Sequence, residues 1–130
     1  MKSIVIVFVS FAIISTQSMT ENQREILMAA HAECSAETGV DEAKVRMALT
    51  GEAAVDQSVK DHMFCINKKI GVQNDAGELQ VDAIRAEVET AVADKSIIDG
   101  MMSTCVVQKS TPQDTAFETN KCFYNMEHKP

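Results

Sequence analysis

After Ile14 the sequence has no apolar run that approaches bilayer length, which takes about 20 residues. The one earlier run, Ile4 to Ile14 in "MKSIVIVFVSFAIISTQS", is also too short to span. It follows Lys2 and leads into small polar residues, the arrangement of a secretory signal peptide cleaved near Ser18. The expectation is a leader over residues 1–18 and one exported, soluble domain of about 112 residues over 19–130. Basic charge is also scarce, with 12 Lys and Arg against 19 Asp and Glu. Losing Lys2 with the leader takes the net charge from −7 to −8. Without a basic cluster, nucleic acid is not an expected partner, and neither is an anionic membrane.

Catalytic and metal-binding patterns are missing too. No G-x-S-x-G, H-E-x-x-H or phosphate-binding glycine loop occurs. "NDAGEL" lacks the spaced oxygen ligands of an EF-hand. The four cysteines include no Cys-x-x-Cys pair, and His31, His62 and His128 show no ligand spacing, so no zinc site is expected. His31 stands one turn before Cys34, but a cysteine oxidised to a disulfide cannot act as a nucleophile. Asp61 and His62, adjacent on a helix, point in different directions. No enzyme, cofactor or metal is therefore expected. There is no strand-like alternation, no internal repeat and no N-x-S/T sequon after the leader.

Helical patterns fill the remaining chain. Ile26, Leu27, Ala30 and Cys34 share a face that ends at Thr38-Gly39. A second helix starts after Asp41 and stops at Gly51. Val59, Met63, Ile66 and Ile70 mark a third, closed by Gly71, before turn residues Asn74, Asp75 and Gly77. Val81, Ile84, Val88 and Val92 mark a fourth. Ile98, Met101, Met102 and Cys105 mark a fifth, interrupted by Gly100, which predicts a bend or two short helices. Thr111 as N-cap, Pro112 in the first turn and Asp114 at the capping-box position start a sixth, with Phe117, Phe123 and Tyr124. The fold class is all-α.

Beyond the leader there is no Trp, one Tyr and three Phe, against seven Met. Methionine fills irregular space and re-packs readily. Met47, Met63, Met101 and Met102 fall on or beside apolar faces, which fits either ordinary core or an internal cavity. In an exported chain four cysteines read as two disulfides, with three connectivities open.

The cysteine spacing then resembles the insect odorant-binding proteins, the pheromone and general odorant-binding family. Cys34 in "ECSAETGV" corresponds to the first of that family's six cysteines, Cys65 to the third, Cys105 to the fourth and Cys122 in "NKCFY" to the sixth. Asp61 stands where the second would fall and Gln113 where the fifth would fall. Those two bond to each other in the family, so one whole bridge is absent and no orphan thiol remains, the pattern of its "Minus-C" branch. "HMFCINKKIGV" and "CVVQKSTPQDTAFETNKCFY" look like beetle members, including secreted haemolymph and accessory-gland relatives.

The resemblance implies a compact six-helix domain with bridges Cys34–Cys65 and Cys105–Cys122, enclosing a hydrophobic cavity that carries small apolar molecules through an aqueous fluid. It places Leu27, Met47, Leu49, Met63, Ile66, Ile84, Val88, Ile98, Met102 and Phe123 near the cavity wall, some as plain core. Asn67, Thr104 and Tyr124 are candidates for one polar contact, against a surface or packing role. Expected partners are a small hydrophobic ligand (odorant, pheromone or lipid) and, for delivery, a membrane receptor, with the chain a monomer or weak dimer. Sensillum lymph, haemolymph and gland fluid are all compatible locations. His31 and His62 are expected to be exposed, with acid-sensing as the alternative reading. Only eight residues follow Cys122, so a C-terminal plug is not expected, though a short lid near Tyr124 is. Asp61 and Gln113 are expected to face water. A secreted inhibitor using the surface of the same scaffold is the alternative, and it would show a contiguous exposed apolar patch.

Overall fold

Short polar side chains start three of the helices. Asp41 accepts the Lys44 N–H at 2.9 Å and opens α2 (Glu42–Thr50). Asp56 accepts the Val59 N–H at 3.1 Å and opens α3 (Gln57–Ile70). The Thr111 hydroxyl accepts the Asp114 N–H at 3.0 Å and opens α6 (Pro112–Glu127). Gly71 closes α3 in the left-handed region at φ 88°, donating its N–H to the Asn67 and Lys68 carbonyls. With α1 (Glu21–Thr38), α4 (Val81–Ala91) and α5 (Ile98–Cys105), the expected six-helix order is observed. The computed structural model describes residues 21–127. The expected leader, Met19 and His128 lie outside the described residues.

Several side chains depart from expectation. The break near Gly100 falls earlier, where a 3-10 turn (Lys95–Ile97) runs into α5 at Ile98, and α5 is continuous through Gly100. Nothing lies near a Cβ built at Gly100, so its missing side chain leaves no packing defect. Ile26 is exposed, because Leu27, Ala30 and Cys34 turn the core face of α1 away from it. Val81 is also exposed, since it sits in the first turn of α4, ahead of the buried Ile84 and Val88. The Asp114 carboxylate does not serve chiefly as a capping box; it takes Lys60 Nζ on α3 at 2.8 Å.

The interior divides into two clusters. The first gathers the buried faces of α1, α2 and α3 with Ala116 and Phe117 from the start of α6. The second gathers α4 and α5 with Val72 and with Phe123 from the end of α6. Ile70 and Tyr124 pack against both and form the seam. Each cluster holds one disulfide. Cys34–Cys65 ties α1 to α3 with Cα atoms 5.8 Å apart, and Cys105–Cys122 ties α5 to α6 at 5.4 Å. This is the pairing that the resemblance implies. α6 therefore spans the two halves, and α3 ends at their boundary.

Candidate functional site

The seam carries a cleft of about 60 Å³ between α1, α3 and α4, lined by Gln23, Ile26, Leu27, Ile70 and Glu87. Leu27 is fully buried and forms its floor, and Ile26 is half-exposed at its rim. Glu87 is drawn partly out of water there, and burial raises its pKa, opposed by a hydrogen bond that Gln23 Nε2 donates at 3.4 Å. Three apolar walls and one carboxylate–amide pair are a pocket chemistry suited to an apolar molecule with a single polar end.

Nine of the ten expected wall residues are buried in the two clusters, and of these Leu27 lines the cleft. Leu27, Leu49, Met63 and Ile66 belong to the first cluster. Ile84, Val88, Ile98, Met102 and Phe123 belong to the second. The tenth, Met47, is 39 % exposed and turned to the surface of α2, so it stands outside the interior that the resemblance implies for it. The reason is its position. Val45, Ala48 and Leu49 supply the buried face of the short α2, and Met47 falls on the other side. Of the polar candidates, Thr104 is exposed and Tyr124 sits at the seam.

Asn67 is fully buried and engaged elsewhere. Its Nδ2 donates to Gln73 Oε1 at 2.8 Å, and its Oδ1 accepts from Asn120 Nδ2 at 3.4 Å. Gln73 Nε2 in turn donates to the Gly77 and Pro112 carbonyls at 3.0 and 3.2 Å. The network pins the 72–80 turn against α3 and α6. Buried amides that satisfy each other rigidify a core. Sequence reading assigned the segment its turn chemistry but had no signal that Gln73 and Asn120 turn inward. The Oδ1 of Asn120 and the Oγ1 of Thr119 are buried with no hydrogen-bond partner among the described residues.

A histidine pair lies beside the first disulfide. His62 is fully buried, against the expectation of exposure, because α3 turns it toward α1. Its Nε2 is 3.3 Å from Nδ1 of the half-buried His31. Thr38 Oγ1 donates to the Cys34 carbonyl at 2.9 Å and accepts the Val40 N–H. Its free lone pair faces His62 Nδ1 at 2.9 Å, so that nitrogen carries the proton and donates. His62 Nε2 is then an acceptor toward His31, an arrangement that holds His62 neutral. Burial, then the neighbouring His31, lower the His62 pKa to about 4. Burial also lowers that of His31, opposed by Glu42 and Asp41.

Asp61 and Gln113 line one open cleft with Glu37, Thr38, Phe64, Cys65 and Lys68. Asp61 is exposed and accepts from Gln57 Nε2 at 2.9 Å, within its own helix. The adjacent pair, Lys60 and Asp114, joins α3 to α6 instead. Among the described residues no group of three metal-ligating side chains occurs, and no helix is long and apolar enough to cross a membrane.

The PBP/GOBP family model matches residues 16–126. The B1 protein of Tenebrio molitor is 31 % identical over 110 residues, covering 85 % of each chain. The B2 protein of the same beetle is 30 % identical over 110 residues, covering 85 % of this chain and 86 % of its own. Among solved structures, the THP12 carrier protein from yellow meal worm superposes with a TM-score of 0.58 at 29 % identity, over 75 % of this chain and 89 % of its own.

Proposed function

The chain belongs to the PBP/GOBP family, and from that premise we propose that it is a non-enzymatic extracellular carrier of small hydrophobic molecules, made with a leader over residues 1–18. The observation that carries the reading is the seam. Two apolar clusters, the first holding Met63 and the second Met101 and Met102, each with its own disulfide, meet there beside a cleft with one polar edge. The similar mealworm THP12 is described as a carrier, which supports the same role here.

Magnitudes say how such a site would work. Micromolar affinity corresponds to about −8 kcal/mol. At about 25 cal/mol per Å² of apolar surface, that takes more than ~300 Å² of burial before the cost of association. A cleft of about 60 Å³ is too small to supply it, being well below the roughly 150 Å³ of an engineered cavity that holds benzene. The ligand tail therefore enters by parting the seam. The buried methionines Met63, Met101 and Met102 re-pack at low cost as it does so. Binding and release are sufficient for transport, and no chemical step is needed.

The test is a titration of the oxidised protein with an environment-sensitive apolar fluorophore. Saturable binding near micromolar concentration, displaced by aliphatic competitors, is the expected result. A folded, fully oxidised sample that takes up no fluorophore overturns the carrier reading and turns attention to a protein partner.

A further inference from the structure

We propose that the cleft between α1, α3 and α4 is the mouth of the ligand site, and that Glu87 there selects apolar ligands ending in a hydroxyl over fatty-acid anions. The inference rests on the carrier reading and names its ligand class. Glu87 reaches the cleft from α4, one residue before the buried Val88. The opposite walls are Ile26 and Leu27 on α1 and Ile70 at the end of α3, so among the described residues the carboxylate is the one acidic group lining it. An ionised carboxylate has room for about four hydrogen bonds. Among the described residues its donor is Gln23 Nε2, at a long 3.4 Å.

That geometry leaves acceptor capacity facing an apolar space. An aliphatic alcohol supplies an O–H to Glu87 while its tail passes over Leu27 and Ile70 toward the two clusters. A fatty-acid anion brings a second negative charge to a carboxylate already short of water. Like charges in that setting repel strongly, and no cation among the described residues lines the cleft to offset them. A methyl ester has neither charge nor donor and stands between the two. The raised pKa of Glu87 agrees with a carboxylate that lacks solvation.

The experiment displaces the bound fluorophore at mildly alkaline pH with three competitors of equal chain length: a medium-chain alcohol, the carboxylate of the corresponding fatty acid and that acid's methyl ester. The wild-type protein should bind the alcohol about tenfold more tightly than the carboxylate, which is 1.4 kcal/mol, with the ester between. In Glu87→Gln, whose amide matches the carboxylate in size and can donate, the alcohol-to-carboxylate ratio should fall to within about threefold, mainly through tighter carboxylate binding. The wild-type comparison needs no variant, so it stands even where Glu87→Gln folds poorly. A carboxylate that competes as well as the alcohol in wild type, or a ratio unchanged in a folded Glu87→Gln, overturns the inference while fluorophore binding leaves the carrier reading intact. Absence of fluorophore binding removes both.

Discussion

A methyl group added at Gly77 would collide with the Pro112 ring, whereas one added at Gly100 would meet nothing. Gly77 also holds φ at +89°, where an L side chain is strained. Its carbonyl accepts from Gln73 and Gln108, so the close approach to α6 anchors the whole 72–80 turn. Gly77→Ala should therefore cost about 2 kcal/mol or more, from strain and overpacking together. Gly100→Ala should stabilise by about 0.5–1 kcal/mol, since a helix-interior glycine at an exposed site only carries excess chain entropy. Urea unfolding of the two variants checks both signs. The sequence placed a turn around Gly77 and a helix around Gly100. It did not show which glycine is irreplaceable, because that depends on Pro112, 35 positions away in the chain.

At the scale of elements, α3 and α6 pack together with no disulfide between them. The bridge absent at Asp61 and Gln113 is replaced by its neighbours Lys60 and Asp114, 2.8 Å apart and partly exposed. A partly exposed ion pair contributes about 0.2–1 kcal/mol. A disulfide closing a loop of roughly 50 residues contributes about 4 kcal/mol in the chain-entropy model. The exchange leaves the two halves more weakly joined along α6. Asp61→Cys with Gln113→Cys should form a bridge, since both residues line one cleft beside that ion pair, and should raise the melting temperature. It should also narrow the range of ligands that displace the fluorophore, because the seam opens less readily. An oxidised, stabilised double variant with an unchanged ligand range would refute the link between the missing bridge and a soft site. The cysteine positions made this absence legible in the sequence. The salt bridge was not legible there, because Lys60 and Asp114 become neighbours only when α3 packs on α6.

For the whole molecule, acid is the condition that tests the packing. His62 titrates near 4 in the folded chain and at its ordinary 6.5 when unfolded. The unfolded chain therefore binds more protons between those values, and stability falls as pH drops through that window. His31, lowered by burial, acts in the same direction. Glu87, raised by burial, opposes them, because protonation favours its folded setting. The shift at His62 is large, and the melting temperature should decline from pH 7 toward pH 4.5. In His62→Gln the protein should be less stable at pH 7, yet its melting temperature should vary less over the same range. Melting curves recorded at several pH values for both proteins decide the matter, and equal slopes would show that His62 does not govern acid stability.

Much was settled along the chain itself. Caps at Asp41, Asp56 and Thr111, apolar spacing and the glycine stops set six helices, because those are local hydrogen-bonding and periodicity effects. Cysteine spacing indicated the family, since covalent ties leave a linear trace. Only the tertiary structure decided that the interior is two clusters meeting at Ile70 and Tyr124. Only there did Met47 turn outward while His62, Gln73 and Asn120 turned inward, and only there did Glu87 come to stand over Leu27. Each depends on which helix faces which, and the environment of a side chain is set by packing partners distant in the chain.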